Sequence, residues 1–214
     1  LKIELAKNLA NDSMEFDNLL DPYEHMESLM KKAYRSNIQT IEKTYGLIDS
    51  TVIERVAQEI ISCRNIYLFG IGSSGIVCED FQHKLLRIGK TSIYYTDTHL
   101  QLTAVPNMQK GDLAFFVSYS GKTKEIVTAA KWAKRVGIKS VAITQSAYND
   151  LGKLVDMVIT IPIEEKELRI GATSSRLSSL VVIDLLYYGV ARHDKEETHK
   201  SIVDTRKIID EIQK

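Results

Sequence analysis

The sequence predicts an α/β fold: a doubly wound, open, parallel five-stranded sheet with further helices flanking it at the N- and C-terminal ends. Two observations predict this class. Short, continuous apolar runs recur from Asn65 onward, and such runs are typical of strands buried on both faces of a parallel sheet. Amphipathic stretches alternate with them, which predicts right-handed βαβ crossovers. Ligands of such sheets bind beyond the carboxyl ends of the strands, so the loops there are expected to carry the functional residues.

The first sixty residues differ from the rest and are predicted to be helical. They contain a single glycine, Gly46, and their apolar residues recur with a period near 3.6. Three helices are expected: residues 1–9, residues 26–38 after the break at Asp21-Pro22, and a third that Asp49 or Ser50 caps and that continues to Ile61.

Strands and helices alternate along the remainder of the chain. The strands are expected at residues 66–69, 92–95, 113–117, 140–144 and 157–161. Helices are expected at residues 75–88, 122–136, 177–191 and 194–214, with a short one near 149–154. The stretch 177–191 is apolar around nearly its whole circumference. It fits either a central core helix or, with the N-terminal helices, a symmetric dimer contact.

Composition narrows the possible functions. The 214 residues carry 28 basic and 28 acidic side chains, with 44% apolar residues, which is typical of a soluble globular protein and excludes disorder. Zero net charge argues against a broad basic face for nucleic acid. Cys63 and Cys78 are too far apart for a redox pair or a cysteine zinc cluster. No apolar run approaches the roughly 20 residues that span a bilayer.

The start of the chain also carries information. Leu1-Lys2-Ile3-Glu4 is not a signal peptide and lacks an initiator methionine. We therefore expect a cytoplasmic chain that is part of a longer protein. No metal and no cofactor are expected.

A glycine-rich turn, Gly70-Ile71-Gly72-Ser73-Ser74-Gly75, follows the first strand and opens a helix. Its glycines permit a sharp turn and a close approach to a ligand, and the helix N-terminus behind it attracts anions. The turn also matches the GxGxxG dinucleotide pattern, with Asp97 placed where that pattern needs an acidic residue. A third possibility is a simple helix start that Ser73 or Ser74 caps.

A second hydroxyl-rich turn, Ser118-Tyr119-Ser120-Gly121-Lys122-Thr123, follows the third strand. Its Gly-Lys-Thr triplet is similar to the end of a Walker A loop, but Phe116 occupies the position where that loop needs glycine, so a P-loop is rejected. Two such turns together predict a cup of small donors sized for one phosphate monoester. A dinucleotide site would need one glycine turn and an open path for the second nucleotide instead.

These two turns, at this separation, resemble those of a sugar isomerase (SIS) domain, and the similarity covers about residues 45–192. Further motifs resemble the RpiR group of bacterial transcriptional regulators: Gln82-His83-Lys84, Arg87-Ile88-Gly89, Asp97-Thr98-His99-Leu100-Gln101, Ser175-Arg176 and Ile183-Asp184. The resemblance implies a flavodoxin-like αβα sandwich that senses a sugar phosphate. It also implies that operator DNA is bound by a separate N-terminal helix-turn-helix domain. Residues 1–20 would then be the last helix of that domain plus a linker, and residues 21–214 the SIS domain.

The resemblance also implies roles for individual residues. The phosphate would be held by Ser74, Ser118, Ser120 and Thr123, with Gly72 and the backbone of Ser73 and Tyr119 assisting. Sugar hydroxyls would be reached by His99, Gln101, Ser174, Ser175 or Arg176. For His99, a purely structural role is an equal alternative.

The remaining question is whether the domain catalyses a reaction. Aldose–ketose isomerisation needs a base poised near neutral pH, and isomerases of this family generally supply a glutamate above the phosphate cup. Here Glu125 is expected to complement a helix dipole, and Glu164, Glu165 and Glu167 are expected to be solvated. Arg169 is a better ligand candidate in that region. We therefore expect an effector-binding domain that works as a homodimer or homotetramer, with a phosphosugar isomerase as the alternative.

Overall fold

The computed structural model describes residues 21–164 and 171–212, and in them helices and strands alternate as the sequence predicts. The helices are α1 Met26–Leu47, α2 Ser50–Ser62, α3 Ser73–Arg87, α4 Thr98–Ala104, α5 Lys124–Arg135, α6 Thr173–Ala191 and α7 Lys195–Ile212. The strands are β1 Ile66–Phe69, β2 Ser92–Tyr94, β3 Leu113–Val117, β4 Lys139–Thr144 and β5 Met157–Thr160. The helix predicted over residues 1–9 lies outside the described residues.

The five strands form one sheet in the order β2-β1-β3-β4-β5, and every pairing is parallel. This confirms the predicted fold class. The register pairs Phe69 at the end of β1 with Phe116 near the end of β3. Because β2 and β3 lie on opposite sides of β1, the connections that leave β1 and β3 run to opposite faces of the sheet. That reversal opens a crevice at the carboxyl ends of these two strands.

Apolar side chains fill both faces of the sheet. On one face, α2, α3 and α6 cover a core that includes Phe81 and Phe115, whose rings lie 5.2 Å apart. On the other face, α4 and α5 cover a core in which Phe69 stacks on Phe116 at 4.9 Å. All five residues of β3 are buried. Burial on both faces explains why the central strands are continuous apolar runs.

Two local predictions were wrong. Residues 149–154 form turns rather than a helix. The Asn149 side chain accepts from the Gly152 amide at 2.8 Å, as at the start of a helix, but the Leu154 amide then bonds the Leu151 carbonyl only three residues back, at 2.9 Å, which ends the helical pairing after one turn. In the other case, residues 98–104, which belong to none of the predicted helices, form the short helix α4. Asp97 caps this helix by accepting from the Leu100 amide at 2.9 Å, so the acid of the GxGxxG interpretation has a structural role.

The two outer helices differ in how much of their length is covered. The apolar helix α6 packs against α1, α2 and α3, so burial within one chain accounts for most of its apolar surface. By contrast, α1 is exposed from Met26 to Gln39 except at Leu29, and it meets the domain only through its last turns. Within the described ranges, no helix combines the length and the apolar character that crossing a membrane requires.

Candidate functional site

A cavity of about 550 Å³ lies at the carboxyl ends of β1 and β3, in the crevice that the strand order creates. Three segments of chain form its walls: residues 71–74 after β1, residues 117–123 after β3, and the start of α6. Val77, Ile126 and Gln145 complete the lining. The two turns that the sequence singled out therefore face one space, together with a third wall.

The first turn brings the N-terminus of α3 to the cavity. Gly72 has φ 60° and ψ −129°, a conformation that essentially only glycine adopts without strain. Its carbonyl accepts from the Gly75 amide at 2.9 Å. Ser73 and Ser74 are the first two helical residues, so no earlier helical carbonyl faces their amides. Both residues line the cavity, where these amides are suited to bind an anion.

This turn is held from behind by buried polar contacts. The Gln101 side chain accepts from the Gly70 amide at 3.1 Å and donates to the Gly70 carbonyl at 3.0 Å and to the Tyr95 carbonyl at 2.8 Å. The Tyr94 hydroxyl also donates to the Gly70 carbonyl, at 3.3 Å. Burial raises the pKa of Tyr94 to about 12, so this donor keeps its proton at neutral pH.

The second turn presents its hydroxyls as a group. The Ser118 and Thr123 hydroxyl oxygens lie 3.3 Å apart, and the Ser120 hydroxyl accepts from the Lys122 amide at 3.2 Å. Thr123 is the N-cap residue of α5, but its side chain makes no capping hydrogen bond. Gly121 has φ 63°, and its carbonyl accepts from the Leu151 amide at 3.0 Å. The turn is thus fixed from outside while its hydroxyls face the cavity.

Tyr119 joins the second turn to the ends of β4 and β5. Its carbonyl accepts from the Thr144 hydroxyl at 3.1 Å and from the Gln145 amide at 3.0 Å. Its phenolic oxygen accepts from the Glu164 amide at 3.0 Å. Glu164 was expected to be solvated, and that was wrong: its side chain is mostly buried and binds Thr40 and Lys43 of α1.

The start of α6 forms the third wall. Ala172, Ser175, Arg176 and Ser179 line the cavity there, and the Ser179 hydroxyl donates to the Ser175 carbonyl at 2.8 Å. Both serines are buried. Two residues of the lining were not predicted from the sequence: Ser179, and Gln145, which follows β4. For Ser179 a signal existed: serines four residues apart share one face of a helix that is otherwise strongly apolar.

The charge of the lining suits an anion. Among the described residues of the lining, the charged side chains are Lys122 and Arg176, both cationic. The N-termini of α3, α5 and α6 reach the same space and add partial positive charge. A ligand with a dianionic group at one end and hydroxyls at the other matches this lining.

Most of the predicted site residues meet at the cavity. Eight of the nine line it: Gly72, Ser73, Ser74, Ser118, Tyr119, Ser120, Thr123 and Ser175. The ninth, His99, is exposed in the first turn of α4 and is not part of this lining. Gln101 binds backbone instead of facing the cavity, and Arg169 lies outside the described residues.

The described residues contain neither a cluster of metal ligands nor an activated thiol. No cluster of three or more His, Cys, Asp or Glu side chains that could hold a metal ion occurs within residues 21–164 and 171–212. Both cysteines are free. Burial raises the pKa of Cys63 to about 11 and raises the pKa of Cys78 as well. Neither thiol is therefore a ready nucleophile near neutral pH.

Comparison with known proteins gives a consistent picture. Residues 59–188 match the family model of the SIS domain. The HTH-type transcriptional regulator YbbH of Bacillus subtilis is 36% identical over 210 residues, which cover 98% of this chain and 74% of that protein. The HTH-type transcriptional regulator RpiR of Escherichia coli K12 is 30% identical over 184 residues, covering 86% of this chain and 62% of that protein.

Solved structures agree with the sequence relatives. The Vibrio vulnificus NanR protein complexed with ManNAc-6P superposes with a TM-score of 0.82 at 27% identity, covering 94% of this chain and 74% of that one. The sugar isomerase domain of an RpiR transcription factor from Sphaerobacter thermophilus gives a TM-score of 0.76 at 20% identity, covering 84% and 98%. A putative phosphosugar isomerase from Bacteroides fragilis gives 0.70 at 20% identity, covering 83% and 97%. At 20% identity, these last two show a shared fold.

Proposed function

This chain belongs to the SIS domain family, in the branch found in HTH-type transcriptional regulators of the RpiR type, and we propose that its cavity binds the phosphosugar effector of such a regulator. The phosphate is held by Ser74, Ser118, Ser120 and Thr123 together with the backbone of Gly72, Ser73 and Tyr119. The sugar extends toward Ser175, Arg176 and Gln145. Operator DNA is bound by a helix-turn-helix domain that precedes this domain in the whole regulator.

One observation carries this proposal. Two hydroxyl-rich turns and three helix N-termini face one cavity, and its described lining carries no carboxylate that would repel a phosphate. Its volume of about 550 Å³ lies within the usual range of about 300–1,000 Å³ for small-molecule sites. The phosphosugar in the NanR complex is a ligand of the expected class.

We favour binding without turnover. An isomerase needs a base near the sugar carbons, and the described lining contains neither a carboxylate nor a histidine. Glu125 is exposed in the first turn of α5, and Glu164 is paired with Lys43. The alternative is a phosphosugar isomerase, and its support is that proteins named as phosphosugar isomerases share this fold.

The effector acts by changing the relative populations of two arrangements of the regulator. A ligand changes DNA binding only if its affinity differs between two arrangements of the regulator. In a dimer, such arrangements would set the spacing of the two DNA-binding domains against the operator half-sites. The exposed face of α1 is the surface that we assign to the dimer contact.

Ligand binding is tested by thermal unfolding with ManNAc-6P, a pentose phosphate, inorganic phosphate and NAD. We expect a sugar phosphate to stabilise the protein, by about 2.7 kcal/mol at a hundredfold its Kd, and NAD to have no effect. Ser74→Ala with Ser118→Ala should abolish that stabilisation and leave the circular dichroism spectrum unchanged. The control is Ser28→Ala with Ser62→Ala, two serines away from the cavity. Wild-type affinity in the cavity variant would refute the site assignment.

Turnover is tested separately. The protein is incubated with pentose and hexose phosphates, and the mixture is followed by proton NMR. We expect the substrates to remain unchanged. Enzyme-dependent isomerised product that disappears in the double cavity variant would establish the isomerase alternative instead.

A further inference from the structure

Helix α1 is attached to the domain by buried polar contacts that lead to two walls of the cavity. Only its last turns are covered: Thr40 and Thr44 are buried, whereas the preceding residues 30–39 are exposed. Within the described residues, α1 is held at this one end. What sets the position of α1 is therefore the small junction around Thr40, Lys43 and Thr44.

One half of the junction is made with α6. The hydroxyl oxygens of Thr44 and Ser178 lie 2.9 Å apart, and both residues are almost completely buried. Thr44 also donates to the Thr40 carbonyl at 2.6 Å, so Ser178 can act as the donor in the pair. On α6, Ser178 lies beside Ser179 and three residues after Ser175, and both of these serines line the cavity. Any shift of this wall therefore acts directly on Thr44.

The other half is made with Glu164, just beyond β5. One carboxylate oxygen accepts from the Thr40 hydroxyl at 2.5 Å, and the other pairs with the Lys43 ammonium at 2.8 Å. The Glu164 amide donates to the phenolic oxygen of Tyr119 at 3.0 Å. Tyr119 belongs to the turn that faces the cavity. Among the described residues, Glu164 thus links the second wall to α1.

Such a junction favours discrete positions. A buried hydroxyl left without a partner costs about 1–3 kcal/mol, and a carboxylate costs more. These costs oppose a gradual slide of α1 while Thr40 and Thr44 stay buried. Thr40 and Thr44 lie within two turns of α1, and their partners Glu164 and Ser178 lie 124 and 134 residues further along the chain. A displacement of either wall would therefore strain or break these hydrogen bonds unless α1 moved with it.

We infer that the junction of Thr40, Lys43 and Thr44 with Glu164 and Ser178 transmits occupancy of the cavity to helix α1. This inference rests on the proposed function, because it needs a ligand that bridges Tyr119 and the start of α6. A bound phosphosugar fixes both walls. Glu164 and Ser178 are then held in place, and so is the end of α1 that they contact. An empty cavity leaves the walls less restrained, and α1 leaves its seat more often.

The experiment is hydrogen–deuterium exchange with and without a probe, which is ManNAc-6P, a pentose phosphate or inorganic phosphate. The exchange is measured on the wild type and on the double variant Thr40→Val with Thr44→Val. In the wild type, the probe should slow exchange both in residues 118–123 and in the last turns of α1, the latter by about two- to tenfold. In the variant, only the turn should be protected. Because coupling is reciprocal, the variant should also bind the probe more weakly by a similar factor.

Controls separate the relay from simple destabilisation. Thr128→Val with Thr205→Val removes two threonines that also donate to the carbonyl four residues earlier but do not contact this junction, and it should behave as wild type. Ser178→Ala and Glu164→Gln test each half of the junction without altering α1 and should each reduce α1 protection.

The possible outcomes are distinct. Protection of the turn without slowed exchange in α1 of the wild type would overturn the relay and leave the proposed function standing. Faster exchange in α1 would also overturn it. Protection of neither region by any probe would overturn the proposed function, and the relay with it.

Discussion

At the scale of single residues, Gly75 shows a second reason for glycine in the segment Gly70–Gly75. Besides its backbone angles, this segment leaves no space for a side chain at position 75. A Cβ at this position would lie 2.4 Å from the Tyr94 hydroxyl oxygen and 3.2 Å from the Gly70 carbonyl oxygen. We expect Gly75→Ala to lower the free energy of unfolding by about 1–2 kcal/mol through overpacking. Adding Tyr94→Phe removes the nearest clashing atom, so the double variant should lose less than the sum of the single losses.

Urea unfolding of the four proteins in this cycle measures the coupling. Gly46→Ala is the control, since nothing lies within 4 Å of a Cβ there, and alanine in a helix should be neutral or stabilising by up to about 1 kcal/mol. Strict additivity of Gly75→Ala and Tyr94→Phe would contradict the proposed contact.

Asp112 provides a second prediction at this scale. Burial favours a raised pKa, but hydrogen bonds from Arg64, the Gln109 amide and Asn65 outweigh it and hold the pKa of this carboxyl below its usual value. A lowered pKa in the folded state stabilises the protein above the ordinary carboxyl pKa, and this stability is lost as the pH falls through the lowered value. Asp112→Asn leaves only one acceptor oxygen for these donors.

We therefore expect Asp112→Asn to destabilise the protein at pH 7 by about 1–3 kcal/mol. The difference from wild type should shrink as the pH falls below about 4. Chemical denaturation across pH 3–7 measures both, with Asp150→Asn as the exposed control. A difference that stays constant over this range would show that the carboxylate charge of Asp112 contributes nothing.

At the scale of elements, α4 acts as a brace for the first turn. Gln101 projects from it and binds both backbone groups of Gly70. Gln101→Leu leaves the buried Gly70 amide without this partner, which should cost about 1–3 kcal/mol. The loosened turn should also weaken sugar phosphate binding several-fold. Thr103→Ala, on the exposed side of the same helix, should leave binding unchanged, as measured by calorimetric titration.

Element α6 illustrates how one apolar pattern can serve two purposes. The sequence left open whether its all-round apolar surface belongs to the core or to a dimer. Its packing against α1, α2 and α3 supports the core. Its first turns depart from this pattern and supply Ser175 and Ser179 to the cavity. The same helix is therefore both core and binding wall.

At the scale of the whole molecule, exposed apolar side chains on α1 form the surface that we propose for contact with a second copy. Met26, Met30 and Tyr34 are 67%, 66% and 67% exposed and recur every four residues, so they share one helix face. We expect the protein to sediment as a dimer at micromolar concentration and Met30→Glu with Tyr34→Glu to make it monomeric. Since these side chains are exposed within one chain, circular dichroism should not change.

Tyr148→Glu serves as the matched control. Its side chain is 85% exposed but lies in the turns after β4, so the dimer should persist in this variant. A wild-type protein that sediments as a monomer at micromolar concentration would contradict the dimer.

The amino-acid sequence by itself determined the α/β class, the strands and the two hydroxyl-rich turns, because these follow from short-range patterns. A strand buried on both faces gives a continuous apolar run, and the glycines and hydroxyls of each turn here lie within six consecutive residues. The parallel sheet then brings the ends of neighbouring strands together, so the seven predicted residues of the two turns line one cavity, and Ser175 joins them from α6. That these residues bind a phosphosugar stays a prediction.

Only the tertiary structure decided which remaining residues complete the site. Gln145 and Ser179 reach the cavity through the packing of β4 and α6, and Gln101 turns away from it to hold Gly70. In the sequence, Glu164 belongs to a run of charged residues that is typical of an exposed surface. Its side chain nevertheless binds Thr40, which lies 124 residues away. Contacts between residues so far apart depend on how helices pack on the sheet, and no local pattern of residues records that packing.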